Sequence, residues 1–301
     1  MPELPDIVVY LEALEARLRN QVLQGIRIAS PFVLRSVAPP VGELVGRTLR
    51  SLHRLGKQIV FEFEGEYFLV IHLMIAGRFQ WKPPRAPVPG KVGLAGFDFP
   101  GGTLILTEAG SKKRASIHAV RGWDALSAFD RKALEVLDCS LDVFSSVLRS
   151  ENHTLKRSLT DPRLFSGIGN AYSDEILHHA QLSPMKLTAK LADEEIRRLW
   201  ESTRKVLQEW SARLRVETGN DFPTKVTAFR PEMAVHGRYG LPCPVCGSPV
   251  QRIVYAENEC NYCATCQTEG RLLADRAMSR LLKDDWPRSL DELEKHFESR
   301  R

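Results

Sequence analysis

The chain opens with a helical rhythm and then changes period. Ile7, Leu11, Leu14 and Leu18 recur at helical spacing, which puts them on one face of an amphipathic helix from Pro5 to about Arg19. Asp6 near its start suits the helix dipole. From about Val22 to Val120 the apolar positions alternate instead. Lys57-Gln58-Ile59-Val60-Phe61-Glu62-Phe63-Glu64 turns at Gly65 and returns as Tyr67-Phe68-Leu69-Val70-Ile71-His72-Leu73, which predicts a β-hairpin. Gly96-Phe97-Asp98-Phe99, a Pro100-Gly101-Gly102 turn and Thr103-Leu104-Ile105-Leu106-Thr107 predict another. Short strands at such spacing predict a β-sandwich or barrel, with the Pro-rich stretch from Pro83 to Pro89 as a surface loop. From about Asp124 helix dominates again. Ile196, Leu199, Trp200, Thr203, Val206, Leu207 and Trp210 form a 3.6-period stripe whose plain reading is core rather than site. A linker near Ala119–Ala128 separates the two regimes, and no internal repeat or low-complexity tract is present.

With 301 residues the chain has room for two cores. Hydrophobic residues make up 43% and charged residues 26%, the composition of an ordinary globular protein. No apolar run approaches the roughly 20 residues of a membrane span. The N-terminal segment carries early acids and no apolar signal core, so a cytoplasmic protein without membrane partners is expected. The net charge of +5 allows a nucleic-acid partner without requiring one. Lys112, Lys113, Arg114 and Arg121 follow Ser111 with no acid among them, a stretch that reads equally as a solvated loop or a phosphate contact.

Five of the six cysteines crowd into the C-terminal part. Cys243-Pro244-Val245-Cys246 precedes Cys263-Ala264-Thr265-Cys266 by sixteen residues, the spacing of a closed four-thiolate zinc site. Gly247 fits the knuckle turn. Cys260-Asn261-Tyr262-Cys263 is also a CxxC, and the reading favours Cys263 with Cys266, leaving Cys260 as a spare thiol. With all four positions taken by cysteine such a site is structural, not catalytic.

Two further features carry possible chemistry. Ser166-Gly167-Ile168-Gly169-Asn170 precedes helical sequence, either as a plain interhelical turn or as a cradle of amides for an anion. Pro2 follows the initiator methionine directly, so clipping of Met1 would expose a secondary amine beside Glu3. An α-amino group has a pKa of about 8 against about 10.4 for lysine, which leaves part of it as free base near neutrality. Read alone, Pro2 and Pro5 only start a helix.

Taken together, these motifs resemble the formamidopyrimidine-DNA glycosylase and endonuclease VIII family of helix–two-turn–helix DNA glycosylases, and are closer to the formamidopyrimidine branch. The resemblance runs from Pro2 to Gln267. It rests on Pro2-Glu3-Leu4-Pro5, Arg54-Leu55-Gly56-Lys57, Gly167-Ile168-Gly169-Asn170 with Tyr172, Asp174 and Glu175, and Tyr262-Cys263-Ala264-Thr265-Cys266-Gln267. It implies an α+β fold: an N-terminal β-sandwich with a catalytic N-terminal helix, then a helical domain with a zinc ribbon. The segments drawn are 1–122, 123–234, 235–270 for the finger, and 271–301 for a helical extension. The resemblance makes Pro2 the nucleophile, Glu3 the proton-transfer group and Lys57 a support for elimination. Asn170 and Lys156 would hold backbone phosphate, and Cys243, Cys246, Cys263 and Cys266 one structural Zn²⁺.

The implied function is excision of oxidised bases, purines such as 8-oxoguanine and formamidopyrimidines, with abasic-site lyase activity. The implied partner is damaged double-stranded DNA, met by a monomer in a bacterial-type cytoplasm. A preference for oxidised pyrimidines and a non-catalytic DNA binder are the alternatives. The chain departs from the family pattern at three places. Ile75, in His72-Leu73-Met74-Ile75-Ala76-Gly77, stands at the wedge methionine's place. Lys113 and Arg114 stand where paired arginines precede a phenylalanine, here without an aromatic. Asn258 stands for the finger arginine that binds phosphate. In the tail, Leu272, Leu273, Ala277, Leu281 and Leu282 predict one helix, and Ser289 with Glu292 a capping box that opens another.

Overall fold

The computed structural model describes residues 1–227, 229–255, 258–273 and 287–293. By contacts the chain divides into two compact units, Met1–Ala133 with Gln208–Ala228, and Leu134–Leu207 with Phe229–Arg301.

The first unit begins with helix α1 (Leu4–Leu18), followed by strands β1 (Gly25–Ile28), β2 (Leu49–Leu55), β3 (Gln58–Phe63) and β4 (Tyr67–His72). Strands β5 (Gly77–Lys82), β6 (Gly93–Phe99), β7 (Gly102–Glu108) and β8 (Ser116–Arg121) complete it, with the short helix α2 (Trp123–Ser127). Two four-stranded antiparallel sheets result, in the orders β2-β3-β4-β8 and β1-β6-β7-β5. Both hairpins expected from the alternation are present, as β3–β4 and β6–β7. The inward residues of one sheet, such as Ile59, Phe61, Leu69 and Ile71, share a core with Phe79, Phe97, Leu104 and Leu106 of the other. Ile7, Tyr10, Leu14 and Leu18 of α1 pack into the same core, while Leu11 is only half-buried.

The second unit is mainly helical: α3 (Leu141–Arg149), α4 (Leu155–Thr160), α5 (Asn170–His179) and the start of α6 (Asp193–Thr218). Ile196, Leu199, Thr203 and Leu207 of the expected stripe are buried, and half-buried Trp200 donates its indole N–H to Cys139 O at 3.2 Å. A two-stranded ribbon follows, β9 (Val250–Tyr255) paired with β10 (Asn258–Cys263), then α7 (Ala264–Thr268). The end of α6 belongs to the first unit, because Phe222 and Val226 just beyond it enter the sandwich core. The boundary between the units falls after Ala133, so α2 groups with the sandwich. Among the described residues no helix is long and apolar enough to cross a membrane.

In the tail, Leu272, Leu273, Leu290 and Leu293 pack against Ile253, Cys260, Tyr262 and Ala264 of the ribbon. Leu273 N donates to Tyr262 Oη at 2.8 Å. Ser289 Oγ accepts from Glu292 N at 3.3 Å, as a cap should. The return bond goes one residue early, however, from Arg288 N to Glu292 Oε2 at 2.6 Å. Ala277, Leu281 and Leu282 lie outside the described residues.

Candidate functional site

In the first unit the candidate residues gather at the start of α1. Glu3 is the N-cap: its N–H donates to Asp6 Oδ2 at 3.0 Å, and its carboxylate accepts the Asp6 N–H in return. Glu3 is thereby buried and held in one orientation. Pro2 is buried as well, under a half-buried Met1. The α-amine of Met1 has its pKa lowered, first by burial. Arg78 and Lys57 push the same way, and Glu3 and Asp6 oppose them. Lys57 follows Gly56 in the turn between β2 and β3, where Gly56 has φ +61°, so it sits just ahead of β3 rather than in it. The same lysine acts on His72 at the end of β4. Burial, with Lys57 and Arg131, pushes that imidazole down to about 4. Neutral His72 then accepts Met74 N–H on Nδ1 at 3.0 Å and so shapes the turn that leads to Ile75. Ile75 is 53% exposed.

The basic loop after β7 hangs from one carboxylate. Glu108, 1% exposed, accepts the N–H groups of Arg114 at 2.8 Å and Ala115 at 3.1 Å. Lys113 Nζ donates to the Glu108 carbonyl, while the Arg114 side chain is exposed.

The second unit carries a buried polar chain under the glycine turn. Gly167 has φ +79°, a conformation other residues rarely adopt, and Gly169 is the N-cap of α5. Asp174, one turn into α5, accepts Lys156 Nζ at 2.5 Å, His236 Nδ1 at 2.7 Å and Asn261 N at 3.1 Å. Lys156 also donates to Asn170 O at 2.7 Å and is 7% exposed, so its charge lies beneath the turn. Asn170 Nδ2 donates to Glu259 O at 2.9 Å. Glu175 accepts the N–H groups of Ala234, Val235 and His236 at 2.7–2.9 Å. Burial raises its pKa in spite of those three donors.

Deleting one partner of a buried ion pair leaves the other charge stranded, at a cost of about 3–5 kcal/mol. Asp174→Ala is therefore expected to destabilise the helical unit by about that amount, read as a lower urea midpoint at unchanged slope.

The four cysteines meet as the spacing requires. The Sγ atoms of Cys243, Cys246, Cys263 and Cys266 all lie within 4.8 Å of one another. Cys246 and Cys263 are 3.4 Å apart, and Cys243 and Cys266 3.9 Å. A tetrahedral zinc with bonds of about 2.3 Å spaces its sulfurs about 3.8 Å apart, so the cluster fits one such ion. Gly247 N donates to Cys243 O at 2.9 Å and closes the knuckle. His178 Nε2 lies 3.3 Å from Cys243 Sγ, the outer-layer contact expected around a thiolate ligand. Cys260 is fully buried, outside the cluster, and burial pushes its thiol up. Asn258 opens β10, with its side chain outside the described set. Arg252 is engaged with Glu259, 3.7 Å away, and lies over the Tyr239 ring at 4.3 Å.

Motif reading singles out Pro2, Glu3, Lys57 and the cysteines, but gives no role to Arg78, His178 or His236. His178 meets Cys243, His236 meets Asp174 and Arg78 meets Val226 across long stretches of chain, and no local pattern marks those contacts.

Comparison with known proteins gives a consistent result. Residues 1–109 match the formamidopyrimidine-DNA glycosylase N-terminal domain, and residues 134–218 match the H2TH domain of the same enzymes. The formamidopyrimidine-DNA glycosylase of Thermus thermophilus is 34% identical over 281 residues, covering 90% of this chain and 100% of that one. Among solved structures, the Lactococcus lactis Fpg protein bound to abasic-site DNA has a TM-score of 0.77 at 25% identity, covering 88% of this chain and 99% of that one. The same protein bound to DNA containing an oxidised pyrimidine also has a TM-score of 0.77, at 26% identity, with 89% and 100% covered.

Proposed function

This chain belongs to the formamidopyrimidine-DNA glycosylase family of DNA-repair enzymes, and we propose that it excises oxidised bases through a Schiff base on Pro2 and then cleaves the abasic strand. The carrying observation is the N-terminal amine, partly buried, with its basicity lowered, and with Glu3, Lys57 and Arg78 acting on it. Removal of Met1 passes that environment to the proline nitrogen one residue along. Its lone pair attacks the sugar C1′, the glycosidic electrons leave with the base, which takes up the nitrogen's proton, and breaking the C1′–O4′ bond then leaves an iminium. Glu3 protonates the ring oxygen as the sugar opens and later removes the C2′ proton, which expels the 3′ phosphate. Lys57 contacts the DNA near the lesion and supports that elimination. Asn170 and the Gly167–Gly169 turn hold a backbone phosphate, with the Lys156 charge supporting the turn from below. Lys113 and Arg114 meet the strand from the basic loop.

Extruding the base costs a few kcal/mol of unstacking and unpairing. An exposed apolar residue inserted in the stack offsets it, and Ile75 is the residue presented for this. Cys243, Cys246, Cys263 and Cys266 hold one structural Zn²⁺, which keeps the finger folded. The enzyme acts as a monomer on cytoplasmic DNA. Purines such as 8-oxoguanine and formamidopyrimidines are the leading substrates.

A preference for oxidised pyrimidines is the second reading, favoured by Ile75 at the wedge and Asn258 in the finger. Base release from duplexes carrying each lesion, with and without borohydride, separates the two, and absence of any covalent adduct sinks both. Asn258 contributes no charge at the finger. Asn258→Arg is expected to steepen the salt dependence of DNA binding, changing the log–log slope by about one. An unchanged slope would place residue 258 away from phosphate.

A further inference from the structure

The first unit brings one guanidinium to three backbone carbonyls. Arg78, the second residue of β5, donates Nη1 to Ile75 O at 3.1 Å and to Gly77 O at 2.7 Å. Its Nε donates to Val226 O, 148 residues downstream. One acceptor, Ile75 O, lies in the turn between β4 and β5 and another, Gly77 O, on the first residue of β5, where the turn has little freedom of shape. Gly77 N donates to Leu73 O at 2.9 Å, and a Cβ on Gly77 would stand 2.2 Å from that oxygen. Next to Arg78, the Phe79 ring sits edge-on to Tyr10 of α1 at 5.6 Å, and Tyr10 also meets Phe222 at 5.8 Å. Arg17 of α1 donates to Asn220 O at 2.9 Å. The helix that follows Pro2 and Glu3, the turn that presents Ile75 and the 220–226 segment are thus joined around Arg78 and Phe79.

We propose that Arg78 is a positioning residue for base excision, holding the Ile75 turn in register with the N-terminal helix and the 220–226 segment. The proposal rests on the Pro2 reading above. Arginine suits the task because its planar fork keeps its charge and reaches separated acceptors from different nitrogens, whereas the three donors of a lysine ammonium all radiate from one nitrogen. The charge has a second consequence at the N-terminus. Four charged groups act on that amine: Glu3 and Asp6 from α1, Lys57 from the β2–β3 turn, and Arg78 from β5. The two cations favour its neutral form and the two carboxylates its protonated form. Loss of the Arg78 charge therefore raises the amine's pKa, and the acid limb of the reaction moves to higher pH.

The test compares processed wild type, Arg78→Lys and Arg78→Leu. Each is mixed with duplex DNA carrying 2-aminopurine beside an abasic-site analogue, and each is trapped with borohydride on abasic DNA across pH. Both variants are expected to slow the rise in 2-aminopurine fluorescence roughly tenfold or more, since a small misplacement near the reacting centre is costly. Only Arg78→Leu moves the acid limb of trapping upward, and Arg78→Lys keeps it in place. Wild-type unstacking rates in both variants overturn the proposal, and so does an acid limb that Arg78→Leu leaves unmoved. Arg78→Lys retains the charge and guards against reading misfolding as mispositioning. If wild type itself is never trapped, the Pro2 reading falls, while the unstacking rates still judge Arg78 on their own.

Discussion

Protein that retains Met1 forms no borohydride-trapped complex with abasic duplex DNA, whereas processed protein of the same sequence is trapped. This expected result follows from where the chain places its first residues. With Met1 in place, Pro2 is buried and its nitrogen is an amide without nucleophilic electrons. With Met1 gone, the same atom is a secondary amine one residue along from the Met1 amine, whose pKa burial, Arg78 and Lys57 lower. Mass spectrometry sorts the two forms before the reaction. A trapped adduct on the Met1 form would mean that another amine, such as Lys57, is the nucleophile. Glu3→Gln separates chemistry from folding at the neighbouring position. The amide oxygen can still accept the Asp6 N–H, so α1 keeps its cap, but glutamine transfers no proton. Base excision should fall by about 10²–10⁴-fold with melting nearly unchanged.

The second large effect concerns the finger. Cys263→Ser is expected to abolish stoichiometric zinc, while Cys260→Ser leaves one zinc per chain by elemental analysis. Isolated zinc fingers gain an apparent 10–16 kcal/mol or so from the ion near pH 7, so a finger without it does not stay folded. The 234–236 backbone held by Glu175 and the Asn261 N–H held by Asp174 are then released, and DNA affinity is lost with them. Zinc lost from Cys260→Ser and kept by Cys263→Ser would reverse the ligand assignment.

What could be read from residues alone follows from how far each signal reaches along the chain. The β3–β4 and β6–β7 hairpins were legible because pairing partners lie a few residues apart and the alternation marks which face is buried. The cysteine pairs were legible because a metal knuckle is itself a local motif. Other features were not. The family resemblance makes Lys156 a phosphate ligand, and nothing in the sequence indicates that its ammonium is bonded to Asp174 and the Asn170 carbonyl. No periodicity or motif singles out the segment after α6, yet Phe222 and Val226 complete the sandwich core. Arg78 looks like any strand arginine until Val226, 148 residues on, arrives at its Nε. Such roles depend on distant partners, and neither periodicity nor composition encodes them.

The side chains of helix α5 act at fixed intervals. Asn170, Asp174, Glu175 and His178 grip, in turn, the Glu259 carbonyl, the Asn261 N–H, the 234–236 backbone and the Cys243 sulfur. The helix works as a ruler, and its graduations are set by the rotation of about 100° per residue. Inserting a single alanine between Glu175 and His178 would leave every bonding group present and swing His178 off its mark. Substitutions along α5 each remove one grip. A change of length misaligns all the grips beyond it at once.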